Sequence, residues 1–160
     1  MKVKIMYDTR FGNGKKLAES LKNQFPSDHE VEIGDVKEIA PELIANEHPD
    51  ALILGGAIRM FRGAPKSKKW LKKLDKTLKN DNHKIKYAGA FLTHGLPTDK
   101  MQGFGRRYLR KLEKSSMIEK VYPELLTTRV KTQQGPIYEE EMEKSDNFIK
   151  DFMNWMKEST

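Results

Sequence analysis

Cysteine is absent from all 160 residues. Disulfides, thiolate-bound zinc, cysteine-ligated iron–sulfur clusters and thiol nucleophiles are excluded together. Redox chemistry, if present, must come from a bound organic cofactor or a metal held by other ligands. Histidine is scarce as well: His29, His48, His83 and His94 are scattered, with no pair at metal-ligand spacing, so no metal site is expected. No apolar run approaches the ~18–20 residues that cross a bilayer. The opening Met1-Lys2-Val3-Lys4-Ile5-Met6-Tyr7 is too short and too charged for a signal peptide. A cytoplasmic, soluble protein is the expectation. Linkers, repeats and low-complexity tracts are missing too, so residues 1–160 read as a single domain long enough to bury a core. Paired carboxylates, a triad and a nucleophile elbow are also lacking, and no acid–base residue is assigned.

What the chain does have is positive charge, a net +7. Part of it is concentrated in Lys66-Ser67-Lys68-Lys69-Trp70-Leu71-Lys72-Lys73 and in Arg106-Arg107-Tyr108-Leu109-Arg110-Lys111. These runs fit two solvated helix faces, a surface steered toward an acidic protein partner, or nucleic acid. Charge alone does not separate the three, and no nucleic-acid motif accompanies it.

The hydrophobic pattern alternates strand and helix from end to end. Lys2 to Tyr7 reads as a strand, Asn13 to Phe25 as a helix striped by Leu17, Ala18, Leu21 and Phe25, and His29 to Gly34 as a second strand. A short helical segment lies around Pro41 to Ala45. Asp50 to Gly56 carries the clearest signal: Ala51-Leu52-Ile53-Leu54 is apolar on both faces, as the middle of a helix-covered parallel sheet requires. Ser67 to Leu78 is amphipathic, with Trp70, Leu71, Leu74 and Leu78 inward. Lys86 to Thr93 is a fourth strand, Phe104 to Lys114 a helix, and Leu125 to Val130 a fifth strand rich in β-branched residues. Tyr138 to Lys157 closes the chain as a helix, with Glu139-Glu140-Glu141 at the positive end of its dipole.

Five strands alternating with helices imply a three-layer, doubly wound α/β fold with a parallel sheet. Ligands in such sheets sit beyond the carboxyl ends of the strands. Three loops there draw attention: Asp8 to Gly14, Ala57 to Pro65, and Thr93 to Gly105. In the first, Gly12 and Gly14 allow a tight turn in front of a helix N-terminus, an arrangement suited to phosphate. The Thr9 hydroxyl and Asn13 side chain can add hydrogen bonds, and Arg10 or Lys15 can neutralise charge. Asp8, next to this loop, is expected to turn away from a phosphate and cap the turn. The loop is neither a Gly-x-Gly-x-x-Gly fingerprint nor a Walker loop.

The segment Val3-Lys4-Ile5-Met6-Tyr7-Asp8-Thr9-Arg10-Phe11-Gly12-Asn13-Gly14-Lys15-Lys16-Leu17-Ala18 resembles the opening of flavodoxins and of flavodoxin-like domains. Leu52 to Pro65 resembles that family's second loop, Phe91 to Thr98 its third, and Gly135-Pro136-Ile137 its final turn, so the resemblance covers nearly the whole chain. It implies a flavodoxin-like sheet of order 2-1-3-4-5 and one bound FMN. The family's phosphate loop reads Ser/Thr-x-x-Gly-x-Thr; Thr9 and Gly12 match, while Gly14 stands where the last Thr belongs. The implied cofactor residues are Thr9, Arg10, Phe11, Gly12, Asn13 and Gly14 of the first loop. The second contributes Ala57, Ile58, Arg59, Met60 and Phe61, and the third Thr93, His94, Gly95 and Leu96. Small residues at Gly55, Gly56 and Ala57 would let a flavin lie against the backbone. Met60 and Phe61 would cover its ring, and Arg59 or Arg62 would face its pyrimidine edge or a partner. The family's usual stacking Trp or Tyr is not evident, which implies an exposed flavin. Cations at Arg59, Arg62, Arg106 and Arg107, if close to the ring, would raise its potential.

The function implied is an electron-transfer flavoprotein that shuttles electrons between redox partners, docking an acidic one on its basic surface. One alternative is an FMN-dependent oxidoreductase, because Gly55-Gly56-Ala57-Ile58-Arg59 is similar to the corresponding loop of menaquinone-dependent protoporphyrinogen oxidases. The other is a fold relative that has lost FMN and serves as a binding module.

Overall fold

The computed structural model describes residues 1–59 and 62–160. Its strands are β1 (Lys2–Tyr7), β2 (Glu30–Asp35), β3 (Ala51–Arg59), β4 (Arg62–Gly63), β5 (Ile85–His94) and β6 (Ile118–Arg129). Its helices are α1 (Asn13–Asn23), α2 (Pro41–Asn46), α3 (Pro65–Asn80), α4 (Gln102–Glu113) and α5 (Glu139–Glu158), with a 3-10 turn over Thr98–Met101. The main sheet is parallel in the order β2-β1-β3-β5-β6, and β4 pairs antiparallel with the end of β3. With the two-residue β4 set aside, this is the expected 2-1-3-4-5 order.

Two corrections concern the strands. The last one begins at Ile118 rather than Leu125, because Ile118, Val121 and Tyr122 do not alternate and Pro123 interrupts the run. A register shift between Ala88 and Ala90 lets Leu125 follow Val121 as the next paired residue. The third strand runs past Gly56 to Arg59 and folds back on β4, with Ile58 opposite Gly63.

The sheet is covered on both faces. Leu17, Ala18 and Leu21 of α1 and Phe148, Ile149, Phe152 and Met156 of α5 pack on Val3, Ile5, Ile53 and Phe91. On the opposite face Trp70, Leu71, Leu74 and Leu78 of α3 and Tyr108 and Leu112 of α4 pack on Leu52, Leu54, Ala88, Ala90 and Leu92. The double coverage explains why the central strands are apolar on both faces.

A buried charge on β1 breaks that pattern. Lys4, 1% exposed on β1, pairs with Glu32 of the edge strand β2 and with Glu47 just beyond α2. Burial works against its charge, but the hydrogen bonds and attraction of the two carboxylates outweigh it and hold its pKa above the ordinary value.

Candidate functional site

At the carboxyl edge of the sheet the chain leaves a cleft of about 380 Å³. The ends of β1, β3, β5 and β6 deliver one wall each. Thr9, Arg10, Phe11, Asn13, Gly14, Ala57, Ile58, Arg59, Thr93, His94, Gly95 and Leu96 all line it, as the three loops predict. Gly12 stands just behind the lining, and Met60 and Phe61 lie outside the described residues.

The first loop is built around the start of α1. Gly12 takes φ +90°, a left-handed conformation that an L side chain resists, and it leads directly into the helix. Its N–H donates to Thr9 Oγ1 at 2.9 Å, which closes the turn and leaves the Thr9 hydroxyl proton free to donate elsewhere. No side chain caps α1. Its first-turn N–H groups, which have no partner inside a helix, therefore open at the cleft beside Asn13 and Gly14, an arrangement that accepts an anion. The glycine at position 14 has a steric reason: a Cβ there would lie 3.0 Å from the Asp8 carbonyl oxygen. Lys37 donates to the Thr9 carbonyl and steadies the loop from outside. Lys15 is exposed and outside the lining, which leaves Arg10 as this loop's cation, its guanidinium 5.2 Å above the Phe11 ring.

Three expectations change here. Asp8 does not cap the turn; Thr9 does. The Asp8 carboxylate is 1% exposed, lines the cleft and accepts no hydrogen bond. Arg59 Nη1 stands 3.3 Å from Asp8 Oδ2 without the alignment of a hydrogen bond, so this arginine is held by Asp8. Of the four arginines expected near a ring, Arg59 alone is in the lining; Arg106 borders a separate groove between α4 and β6, and Arg107 sits over Phe104. Gly55 and Gly56 do not offer their missing side chains to the cleft. The Phe91 ring fills the space at Gly55, and Ala64 with Ser67 fills it at Gly56. Both glycines answer to packing, and Ala57 is the small residue at the wall.

His94 ends β5, 2% exposed. Its Nδ1 lies 2.8 Å from the Leu96 carbonyl oxygen. A carbonyl only accepts, so Nδ1 carries the proton and Nε2 is the lone-pair nitrogen. Burial lowers the pKa of the ring, which keeps the imidazole neutral near pH 7. Nε2 has no partner. The Asn13 amide donates one Nδ2 hydrogen to the Gln133 carbonyl at 3.2 Å and keeps its second; its oxygen is unpartnered. The buried polar side-chain atoms of the lining that lack a hydrogen bond thus include the Asp8 carboxylate, Asn13 Oδ1 and His94 Nε2, and all three accept. The cleft asks its ligand for O–H or N–H donors near these atoms and for an anion at α1.

A fourth wall was missed: Val130, Lys131, Thr132 and Gln133 also line the cleft. This segment turns back on itself, with Gly135 N–H donating to Thr132 O at 2.9 Å, and Val130 bridges Ile137. It follows the last strand and ends at Gly135-Pro136, the same strand-then-turn signal that located the other loops.

The sequence profile of the flavodoxin domain family matches residues 4–160. No curated protein matches the chain. Among solved structures it is similar to rubredoxin oxygen:oxidoreductase from the anaerobe Desulfovibrio gigas, with TM-score 0.74 and 18% identity over 98% of this chain and 36% of that one. It is also similar to flavodoxin 2 from Bacillus cereus, with TM-score 0.70 and 21% identity over 96% of this chain and 99% of that one. A flavodoxin from the domain Archaea gives TM-score 0.63 and 16% identity over 98% and 99%. The chain therefore spans 36% of the oxidoreductase and nearly all of each flavodoxin. At these identities the likeness shows the fold.

Proposed function

Because the chain belongs to the flavodoxin domain family, we propose that it binds one FMN in the cleft and acts as an electron-transfer flavoprotein. The observation that carries the reading is the match between ligand and lining. FMN offers a phosphate, a ribityl chain with hydroxyl donors and a flat ring. The cleft offers an uncapped helix N-terminus behind a glycine turn, three buried acceptors without donors, and apolar walls at Ile58, Leu96 and Val130. Thr9, Gly12 and Gly14 would hold the phosphate, Asp8, Asn13 and His94 would take the donors, and Ala57, Ile58 and Leu96 would flank the ring. Bound flavin supplies one- and two-electron transfer, and the protein sets its orientation and surrounding charge. The Asp8–Arg59 pair keeps the net charge at that wall near zero, so Arg59 alone gives less of the cationic bias that the sequence implies. The electron partner is an acidic redox protein.

A second reading, an FMN-dependent oxidoreductase of the quinone- or porphyrinogen-linked type, is favoured by His94. A neutral imidazole with a free nitrogen at the cleft is a competent proton acceptor.

The test is an absorption spectrum of the purified protein followed by FMN titration of whatever is apo. Flavin bands near ~450 nm, or tight uptake, support the reading. A colourless protein that ignores added FMN overturns it and leaves a binding module on the flavodoxin fold. With flavin bound, turnover with a quinone or porphyrinogen selects the oxidoreductase, and transfer only to redox proteins selects the carrier.

A further inference from the structure

Lys68, Arg107 and Lys111 meet where α3 and α4 come together beside β4. The Lys68 ammonium lies 3.4 Å from the position a Cβ on Gly63 would occupy, and the Phe104 ring lies 3.8 Å from that position. Arg107 stacks over Phe104, its guanidinium carbon 4.9 Å from the ring centroid. Lys111 follows Arg107 by one turn of α4. Lys68 and Phe104 are half-buried, so the three cations and the ring form a small nook rather than a spread of surface charge.

Among the described residues, none of the three cations is in an ion pair. Asp75, the carboxylate that α3 brings to the end of α4, accepts from the Ser115 hydroxyl instead. Helix spacing supplies no counter-charge either, because side chains meet neighbours three and four residues away. For Lys68 these are Ala64, Pro65, Leu71 and Lys72; for Arg107, Gly103, Phe104, Arg110 and Lys111; for Lys111, Arg107, Tyr108, Lys114 and Ser115. Burial lowers the pKa of Lys68, and repulsion from Lys111 and Arg107 lowers it further. Holding three like charges together without a carboxylate costs stability, and an anion brought from outside would recover it.

The nook also has a telling position. Gly63 on β4 pairs with Ile58 on β3, and Ile58 lines the cleft. Adjacent strands stand about 4.8 Å apart, so the nook lies one strand behind the cleft wall. A partner anchored there comes to rest beside the redox site.

We propose that this nook is the docking anchor for the acidic redox partner, taking a cluster of two or more surface carboxylates. The identity of the occupant rests on the electron-carrier reading; the anion site itself does not. An anionic membrane is the weaker occupant, because the large exposed hydrophobic residues among those described are Met1, Phe11 and Leu43, and none of them adjoins the nook to insert into lipid.

The experiment is a titration of the ¹⁵N-labelled protein with hexaglutamate, followed by amide NMR at low salt and again at roughly 0.15 M salt. Saturable shifts should concentrate at Gly63, Lys68, Phe104, Arg107 and Lys111 and weaken with salt. The triple variant K68Q/R107Q/K111Q should bind at least roughly tenfold more weakly, the combined effect of three surface charge pairs, one of them half-buried. Shifts scattered over Lys72, Lys73 and Lys79, or retained in the triple variant, overturn the proposal. Tighter binding of phosphatidylglycerol vesicles or a short DNA duplex at the same amides overturns the protein occupant. Hexaglutamate needs no flavin, so a protein that fails to take up FMN but passes this titration refutes the cofactor reading and leaves the anion site standing.

Discussion

Replacing Gly55 with alanine separates two explanations of the glycines that end β3. If they serve close approach of a flavin, an added methyl group blocks the cofactor and leaves the protein sound. The structure gives the opposite expectation. A Cβ at Gly55 would lie 2.0, 2.1 and 2.4 Å from three carbons of the Phe91 ring, its register partner on β5. Ordinary carbon contacts are about 3.5–4.0 Å, so the ring must retreat by roughly 1.5 Å. Phe91 is fully buried against the α1–α5 side of the sheet, and that space is already filled. Overpacking of this kind costs about 1–3 kcal/mol. With about 2–4 °C lost per kcal/mol in a chain of this size, a cost at the top of that range lowers Tm by about 6–12 °C. Thermal unfolding followed by circular dichroism reads it. Adding Phe91→Leu should restore part of the loss, giving a coupling of about 1 kcal/mol or more in a double-mutant cycle. FMN affinity of the folded variant should stay within about twofold, because Gly55 is outside the cleft lining. A Gly55→Ala protein of unchanged Tm, additivity with Phe91→Leu, or a selective loss of FMN would each refute the reasoning.

Three other perturbations have definite outcomes. Thr9→Ala removes the acceptor of the Gly12 N–H and should weaken FMN binding roughly fivefold, the worth of one hydrogen bond, while Thr9→Ser retains it; a titration against FMN reads both. Lys4→Met should cost little at pH 7, because a buried ion pair is often no more stable than an apolar isostere. It should also flatten the pH dependence at both ends. The depressed pKa of Glu32, caused first by its hydrogen bond from Lys4, contributes stability above its unfolded pKa that is lost as pH falls through the folded value. The raised pKa of Lys4 contributes stability below its own unfolded value that is lost as pH rises through the folded one; urea unfolding across pH checks this. Asp75 goes the other way: burial raises its pKa and the Ser115 hydroxyl, 2.6 Å away, only partly offsets the shift. Its contribution is present below the unfolded pKa and disappears as pH rises through the folded one, so Asp75→Asn should be at least as stable as wild type at pH 7 and lose that acid-side slope.

Much of the fold was legible because its signals are local. The run Ala51 to Leu54, apolar on both faces, identifies a central strand wherever its neighbours come from, and the stripes of α1, α3 and α5 need only the helical period. The first half of β6 was not legible, since the apolar residues between Ile118 and Glu124 keep no two-residue alternation and Pro123 interrupts them. Within the site, the glycine loop and the three strand-end loops were visible, because strand, turn and helix start follow one another in the chain. Which polar atoms face the cleft without a partner was not. Asp8 looks like a turn cap on paper, and its burial beside Arg59 depends on two strands, fifty-one residues apart by their numbering, lying side by side.

Sequence alone determined the alternating order of elements, the central strand, the absence of thiol chemistry and the position of the phosphate-type turn, all consequences of composition and short-range periodicity. Tertiary structure decided what each exceptional residue is for. Gly55 and Gly56 make room for Phe91 and for Ala64 with Ser67, Lys4 is buried because Glu32 and Glu47 arrive from other elements, and the segment after β6 closes the cleft against Asn13. The physical reason is the same in each case: sheet register and layer packing bring together side chains far apart in the chain, and local periodicity carries no record of the distance between them.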